Sequence, residues 1–123
     1  MPPKIANFYL KLIICSTILA YLQLDAIPEK EIFPGFTARI INTENITLVY
    51  VRVKAGTLLP KHVHPQEQIT NLLEGQLELI VGGETFMLEP GKVGTIPPNV
   101  PHSGRALTDC YILDVFHPHR SYA

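Results

Sequence analysis

Cysteine is scarce in this chain, with Cys15 and Cys110 the two thiols among 123 residues. Their separation fits no metal finger and two thiols make no disulfide framework, so a cross-linked scaffold is excluded and both are read as buried thiols. A surplus of charge of either sign is also missing. Ten Lys and Arg stand against eleven Asp and Glu, a formal net charge of -1, with no block of like charges. Neither the basic footprint of a nucleic-acid binder nor an acidic tail is present, so a small ligand or a protein partner is expected. Nor is there an internal repeat at a fixed period. With 123 residues the chain can build one hydrophobic core but not two, so one domain is expected.

Long apolar runs are absent with one exception. From Phe8 to Leu24 the sequence FYLKLIICSTILAYLQL is almost continuously apolar, broken by Lys11 and Gln23, after a start that carries Lys4. Three readings compete. A signal peptide fits the charged start and apolar centre, although cleavage after Ala20 or Ala26 would put Ile18 or Leu24 where a small residue is preferred. A membrane anchor is at the short limit for spanning. The third reading is a helix or extension packed on the domain or on a partner subunit. Residues 1–26 are therefore set apart as a hydrophobic N-terminal extension and 27–123 as the folded domain. A cytoplasmic location is favoured, with export or anchoring as the alternative, and membrane contact is expected only through residues 8–24.

Helical periodicity is missing after Pro28. What is present instead is a series of short β-forming runs: 37–41, 46–53, 68–74, 76–81, 84–88 and 110–116. They are separated by turn-rich segments such as NTEN, KAGTLLP, GG, EPGK and PPNVP. Gly82-Gly83 supplies the positive φ angles of a two-residue hairpin, which predicts antiparallel pairing of 76–81 with 84–88. Eleven prolines, most of them between strands, favour an all-β sandwich or barrel. In the last strand Cys110, Ile112, Asp114 and Phe116 share one face and Tyr111, Leu113 and Val115 the other. Both faces are apolar, so the outer one is expected to be covered by another sheet or subunit, and a homodimer follows.

Histidine is where the chemistry concentrates. His62 and His64 are two residues apart, and Gln68 shares their parity, so the three converge on one face if the segment is extended, with Glu67 pointing away. Imidazoles at that spacing can both reach one divalent ion. By itself the pair is a weak signal. Reading outward gives Gly56, five residues, His62-x-His64, three residues, Gln68, six residues, Gly75; a second block runs Gly91, five residues, Pro97-x-Asn99, two residues, His102. Together these blocks resemble the two motifs of the cupin superfamily (RmlC-like), from about Arg39 to His117, with a short inter-motif stretch of fifteen residues. The resemblance implies a small single-domain β-barrel, a double-stranded β-helix or jelly roll. Its divalent transition metal (nickel, zinc, iron or manganese) would be held by His62, His64, Gln68 and His102. Three positions depart from the family pattern: Gln68 replaces glutamate, Asn99 replaces glycine and Ala106 replaces asparagine. Asn99 tolerates the left-handed backbone of a turn glycine. Gln68 leaves the cation its full positive charge, which favours an anionic ligand; alternatively it faces the lumen only as a hydrogen-bonding wall residue.

The C-terminal stretch DVFHPHR narrows the resemblance. A first block with Gln in the fourth ligand place, followed by this stretch, is similar to the KdgF-type cupins of pectin degradation. These convert 4,5-unsaturated monouronates from pectin and alginate breakdown into linear keto sugars. The similarity implies that Asp114, Phe116 and Arg120 are catalytic: Asp114 as proton shuttle, Arg120 on the substrate carboxylate and Phe116 against the sugar. The expected partner is then a small anionic sugar. The competing functions are a cupin dioxygenase or lyase on another small organic acid, and a non-catalytic carbohydrate- or effector-binding cupin. His117 and His119 are read as a surface or pocket-rim pair. Tyr50, Arg52 and Gln76 could point into the barrel, but strand register is not fixed at those positions.

Overall fold

Two β-sheets face each other across one apolar interior in this protein, whose computed structural model describes residues 21–122. A short 3-10 turn at Leu24–Ala26 leads into ten strands. They are β1 (Lys30–Phe33), β2 (Phe36–Asn42), β3 (Thr47–Val53), β4 (Leu58–His62), β5 (Glu67–Glu74), β6 (Leu77–Val81), β7 (Glu84–Leu88), β8 (Val93–Ile96), β9 (His102–Ala106) and β10 (Cys110–His117). The larger sheet has the order β1-β2-β3-β10-β5-β8 and the smaller β4-β9-β6-β7. This is the jelly-roll barrel expected from the sequence. No described helix is long and apolar enough to cross a membrane. Cys15 and residues 8–20 of the 8–24 run lie outside the described residues.

Alternation explains the large sheet. In β3 the side chains of Thr47, Val49, Val51 and Val53 are buried while those between them are not, the period of two that packs one face of a strand on a core. In β10 Cys110, Ile112 and Phe116 are buried, and Asp114 pairs across the ladder with Val49 and Thr70, both inward-facing. Asp114 therefore enters the interior as the parity predicts. On the other side, Leu48, Val115 and Ile69 form one cross-strand row, and Tyr50 and Leu113 lie opposite each other in the next. That outer face is apolar and only half-covered.

The predicted hairpin is present: β6 pairs antiparallel with β7 from Leu77↔Leu88 to Val81↔Glu84, with Gly82 and Gly83 at φ 57° and 86°. Gly75 is constrained differently. Its φ is 100°, and a Cβ there would lie 2.3 Å from the carbonyl oxygen of Asp109, so the β5–β6 turn admits only glycine.

Four strands escape the sequence-based expectation. β1, β4, β8 and β9 have four or five residues each and include Pro60, Gly94 and Gly104. Their strand character comes from pairing with neighbours rather than from local preference. The segment KAGTLLP, expected to be a turn, runs directly into β4. Pro60 is tolerated there because β4 lies at the edge of the small sheet.

Candidate metal centre

Strand pairing brings two of the three histidines together. His62 closes β4 and His102 opens β9, and the ladder places them opposite each other, past a bulge after Leu59, with ring centroids 4.1 Å apart. His64 comes from the turn between β4 and β5. Its ring lies 5.6 Å from that of His62 and 4.7 Å from that of His102. The convergence predicted for His62, His64 and Gln68 is therefore found, but by a different route from a single extended segment. Residues 63–66 leave the small sheet and turn into the large one, so the bend at Pro65 does the work assigned to parity. Asn99 fixes that bend. It has a φ of 62°, as its substitution for a turn glycine requires, and its N–H donates to the carbonyl of His64 at 2.9 Å. The loop bearing His64 and the loop leading to His102 are thus tied together.

Hydrogen bonding decides how the rings are protonated. Nδ1 of His62, His64 and His102 lies 3.0, 3.0 and 2.9 Å from the carbonyl oxygens of Pro60, Gln66 and Val100. A carbonyl only accepts, so each Nδ1 carries the proton and each Nε2 keeps a free lone pair. Nε2 of His102 is buried with no partner at all. Nε2 of His64 faces Oε1 of Gln68 at 3.1 Å, two acceptors opposed across a gap. The Gln68 amide is held in that orientation because its Nε2 donates to Thr70 Oγ1 at 2.8 Å. One ligand atom from each of the three histidines lies within 4.8 Å of the others, so the three could hold a metal ion. A cation resolves every one of these unsatisfied acceptors, and Gln68 presents its oxygen to the same point.

Charge is disfavoured on all three rings. Burial lowers the pKa of His62 and His64, helped by the nearby Arg120 guanidinium, and takes His102 down to about 4, with its histidine neighbours adding to the effect. Neutral imidazole is the metal-binding form.

Asp114 is buried beside this cluster. Burial pushes its carboxyl up to about 6, against the opposing pull of hydrogen bonds from Thr70 and Gln68 and of the Arg120 charge. Its Oδ1 has no hydrogen-bond partner. Phe116 is fully buried and meets the His64 ring edge-on at 5.5 Å. The Arg120 guanidinium lies between two rings, 5.0 Å from the centroid of Phe116 and 4.8 Å from that of Tyr122. Two small cavities open here. One, of about 40 Å³, is bordered by Gln68, Thr70, His102 and Asp114. The other, of about 30 Å³, is bordered by His62, Gln68, Asp114, Phe116, Arg120 and Tyr122.

All seven residues singled out from the sequence thus sit around one point. His117 and His119 are exposed, as a rim pair would be. Tyr50 and Arg52 turn outward against Tyr111, and Gln76 is exposed, so none of the three enters the barrel. Sequence reasoning missed Thr70 and Tyr122. Thr70 shares parity with Gln68 on β5 and could have been found that way; Tyr122 carries no spacing signal.

Comparison with known proteins agrees with this geometry. The family model of the cupin domain matches residues 49–116, more than half of the chain. No curated protein sequence matches. Among solved structures, KdgF from Halomonas sp. is 25% identical with a TM-score of 0.79, over 85% of this chain and 97% of that one. An RmlC-like cupin from Shewanella frigidimarina is 21% identical with a TM-score of 0.79, over 85% and 95%. The salicylate 1,2-dioxygenase of Pseudaminobacter salicylatoxidans is 22% identical with a TM-score of 0.68, over 76% of this chain but only 29% of its own length.

Proposed function

The chain belongs to the cupin family, and on that premise we propose that it is a metal-dependent enzyme that opens and tautomerises 4,5-unsaturated monouronates into linear keto sugars. The single observation that carries this reading is Asp114, a buried carboxyl with an unpartnered oxygen and a pKa near neutrality, bordering the same cavities as the histidine cluster. Structural similarity to KdgF at 25% identity supports it.

His62, His64 and His102 would hold a divalent transition metal, with Gln68 as fourth ligand. Bound there, the metal supplies a Lewis acid that stabilises negative charge developing on substrate oxygen. The proton work falls to Asp114. In the unsaturated uronate the ring oxygen joins C1, a hemiacetal carbon, to C5, an enol-ether carbon. Asp114 as carboxylate takes the proton of the C1 hydroxyl, the C1–O bond to the ring breaks to give an aldehyde, and the same proton is delivered to C4. The enol thereby becomes a ketone at C5. No atom is gained or lost. A pKa near the working pH suits a group that must both accept and return a proton. Arg120 makes a two-pronged contact with the carboxylate, and Phe116 shields the ring from water.

The test is incubation with lyase-generated unsaturated galacturonate, following loss of the ultraviolet band of its conjugated double bond. Chelator-sensitive acceleration is expected. Its absence, or oxygen consumption with other small acids, would replace this reading with the dioxygenase alternative.

A further inference from the structure

The cavities at the histidine cluster, about 40 and 30 Å³, each have room for about one water, whereas pockets for organic ligands usually measure about 300–1,000 Å³. A six-carbon acid does not fit while the surrounding side chains stay where they are. The walls differ in how firmly they are held. Gln68, Thr70 and Asp114 belong to β5 and β10, interior strands of the large sheet with a neighbour on each side. Tyr122 belongs to no strand. It is carried by residues 118–122, which follow β10 and fold back over the opening as a strap.

Several hydrogen bonds fasten that strap. Gln66 Nε2 donates to the carbonyl of His119 at 3.2 Å, the N–H of Arg120 donates to Thr47 Oγ1 at 2.9 Å, and Lys30 Nζ donates to the carbonyl of Tyr122 at 2.9 Å. The first and last are exposed to solvent and open at little cost. Inside, the Tyr122 ring rests on Phe116 with centroids 6.2 Å apart and clasps Arg120 from the other side.

We propose that Tyr122 is the size-determining residue of the centre: with the strap fastened only ligands of a few atoms reach the histidines, and with it swung out a six-carbon acid enters. Arg120 travels on the same strap, so refastening brings the guanidinium against the carboxylate of the acid just admitted. The choice of acid rests on the uronate reading; the gating does not.

Two probes differing in size test this on the full chain loaded with cobalt, whose visible spectrum reports ligand binding. They are azide, with three atoms, and galacturonate, the saturated six-carbon acid. Lys30→Met removes one fastening without altering the cavity lining. It is expected to speed both association and dissociation of galacturonate about fivefold, the effect of losing one hydrogen bond that holds the strap closed with and without ligand, and to leave the rates for azide unchanged. In the metal-free protein, tryptic cleavage after Arg120 should accelerate by the same factor, because both processes draw on the same open state. Tyr122→Ala, which removes the plug itself, should speed galacturonate association more, again without affecting azide. Equal changes for the two probes, no galacturonate binding to any variant, or unchanged cleavage in Lys30→Met would each overturn the proposal. Size-dependent gating without turnover of unsaturated galacturonate would leave the gate standing and remove the uronate reading. Turnover insensitive to both substitutions would do the reverse.

Discussion

The two ends of the barrel differ in the opposite sense from what their size suggests. At the end where β3 finishes and β10 begins lies a groove of about 630 Å³ bordered by Glu29, Glu31, Arg52, Lys54, Glu74 and Asp109. Several of its polar groups already have partners within the protein: Glu29 bridges Arg39 at 3.3 Å and Arg52 at 3.5 Å, and Asp109 accepts from the N–H of Ala55. At the other end the cavities are more than tenfold smaller, yet His102 and Asp114 each bury a polar atom with no partner. A wide groove lined by solvated ion pairs contributes little energy and marks no chemistry. A cramped site that keeps polar atoms unsatisfied is destabilised unless a ligand completes it, so unmet hydrogen-bonding capacity is the better pointer to function.

Substitutions at the two ends should separate them clearly. Asp114→Asn is expected to lower turnover of unsaturated galacturonate by about 10²–10⁴-fold, the usual contribution of a general acid–base, with metal content unchanged. Arg52→Ala in the wide groove should leave turnover within about twofold, since an exposed ion pair is worth little. Activity lost in both, or in neither, would erase the distinction. Replacing His102 by Ala should reduce metal content at equilibrium by more than about tenfold, measured by atomic emission after dialysis. Gln68→Glu sharpens the contrast from the other direction. A carboxylate in place of the amide should strengthen metal retention by about tenfold and lower turnover, because it cancels part of the charge that attracts an anionic substrate. Unchanged retention would assign Gln68 to the cavity wall instead.

The smallest effect is in stability. Asp114 rises from an ordinary 3.8 to about 6, so the folded state disfavours its ionised form. Its contribution is fully favourable below pH 4 and is lost as pH rises towards 6. In the metal-free protein, Asp114→Asn should therefore melt higher than the parent above pH 6, by about 5 °C, and equally below pH 4. His102 runs the other way. Its pKa falls from 6.5 to about 4, so stability is full above pH 6.5 and declines as pH drops towards 4. A melting difference that grew towards acid pH would show that Asp114 is not the disfavoured anion.

Much of the site was legible in the sequence because its ligands keep fixed spacing within two blocks, and spacing survives whatever the surrounding fold does. His62, His64 and His102 could be placed together from resemblance alone, and Asp114 inward from parity in β10. The path between them could not. Whether residues 62–68 run straight or bend depends on the pairing of β4 with β9, a contact between positions some forty residues apart that no local preference encodes. The same applies to the missed strands, whose glycines and proline argue against strand formation until a partner is present. Tyr122 was out of reach for a further reason: it matters because of what it covers, and coverage is a property of the folded chain.

The hydrogen bond from Asn99 to His64 has a bearing on how this protein can change. It staples the two ligand-bearing loops into one body, so lengthening either would pull the imidazoles out of register with each other. Insertions are affordable instead at the exposed tip of the β7–β8 turn, at Pro90-Gly91, where an added Cβ on Gly91 meets nothing within 4 Å and which carries none of the seven side chains around the cluster. Diversification of this barrel should therefore collect at that tip and at the strap, leaving the stapled pair at constant length.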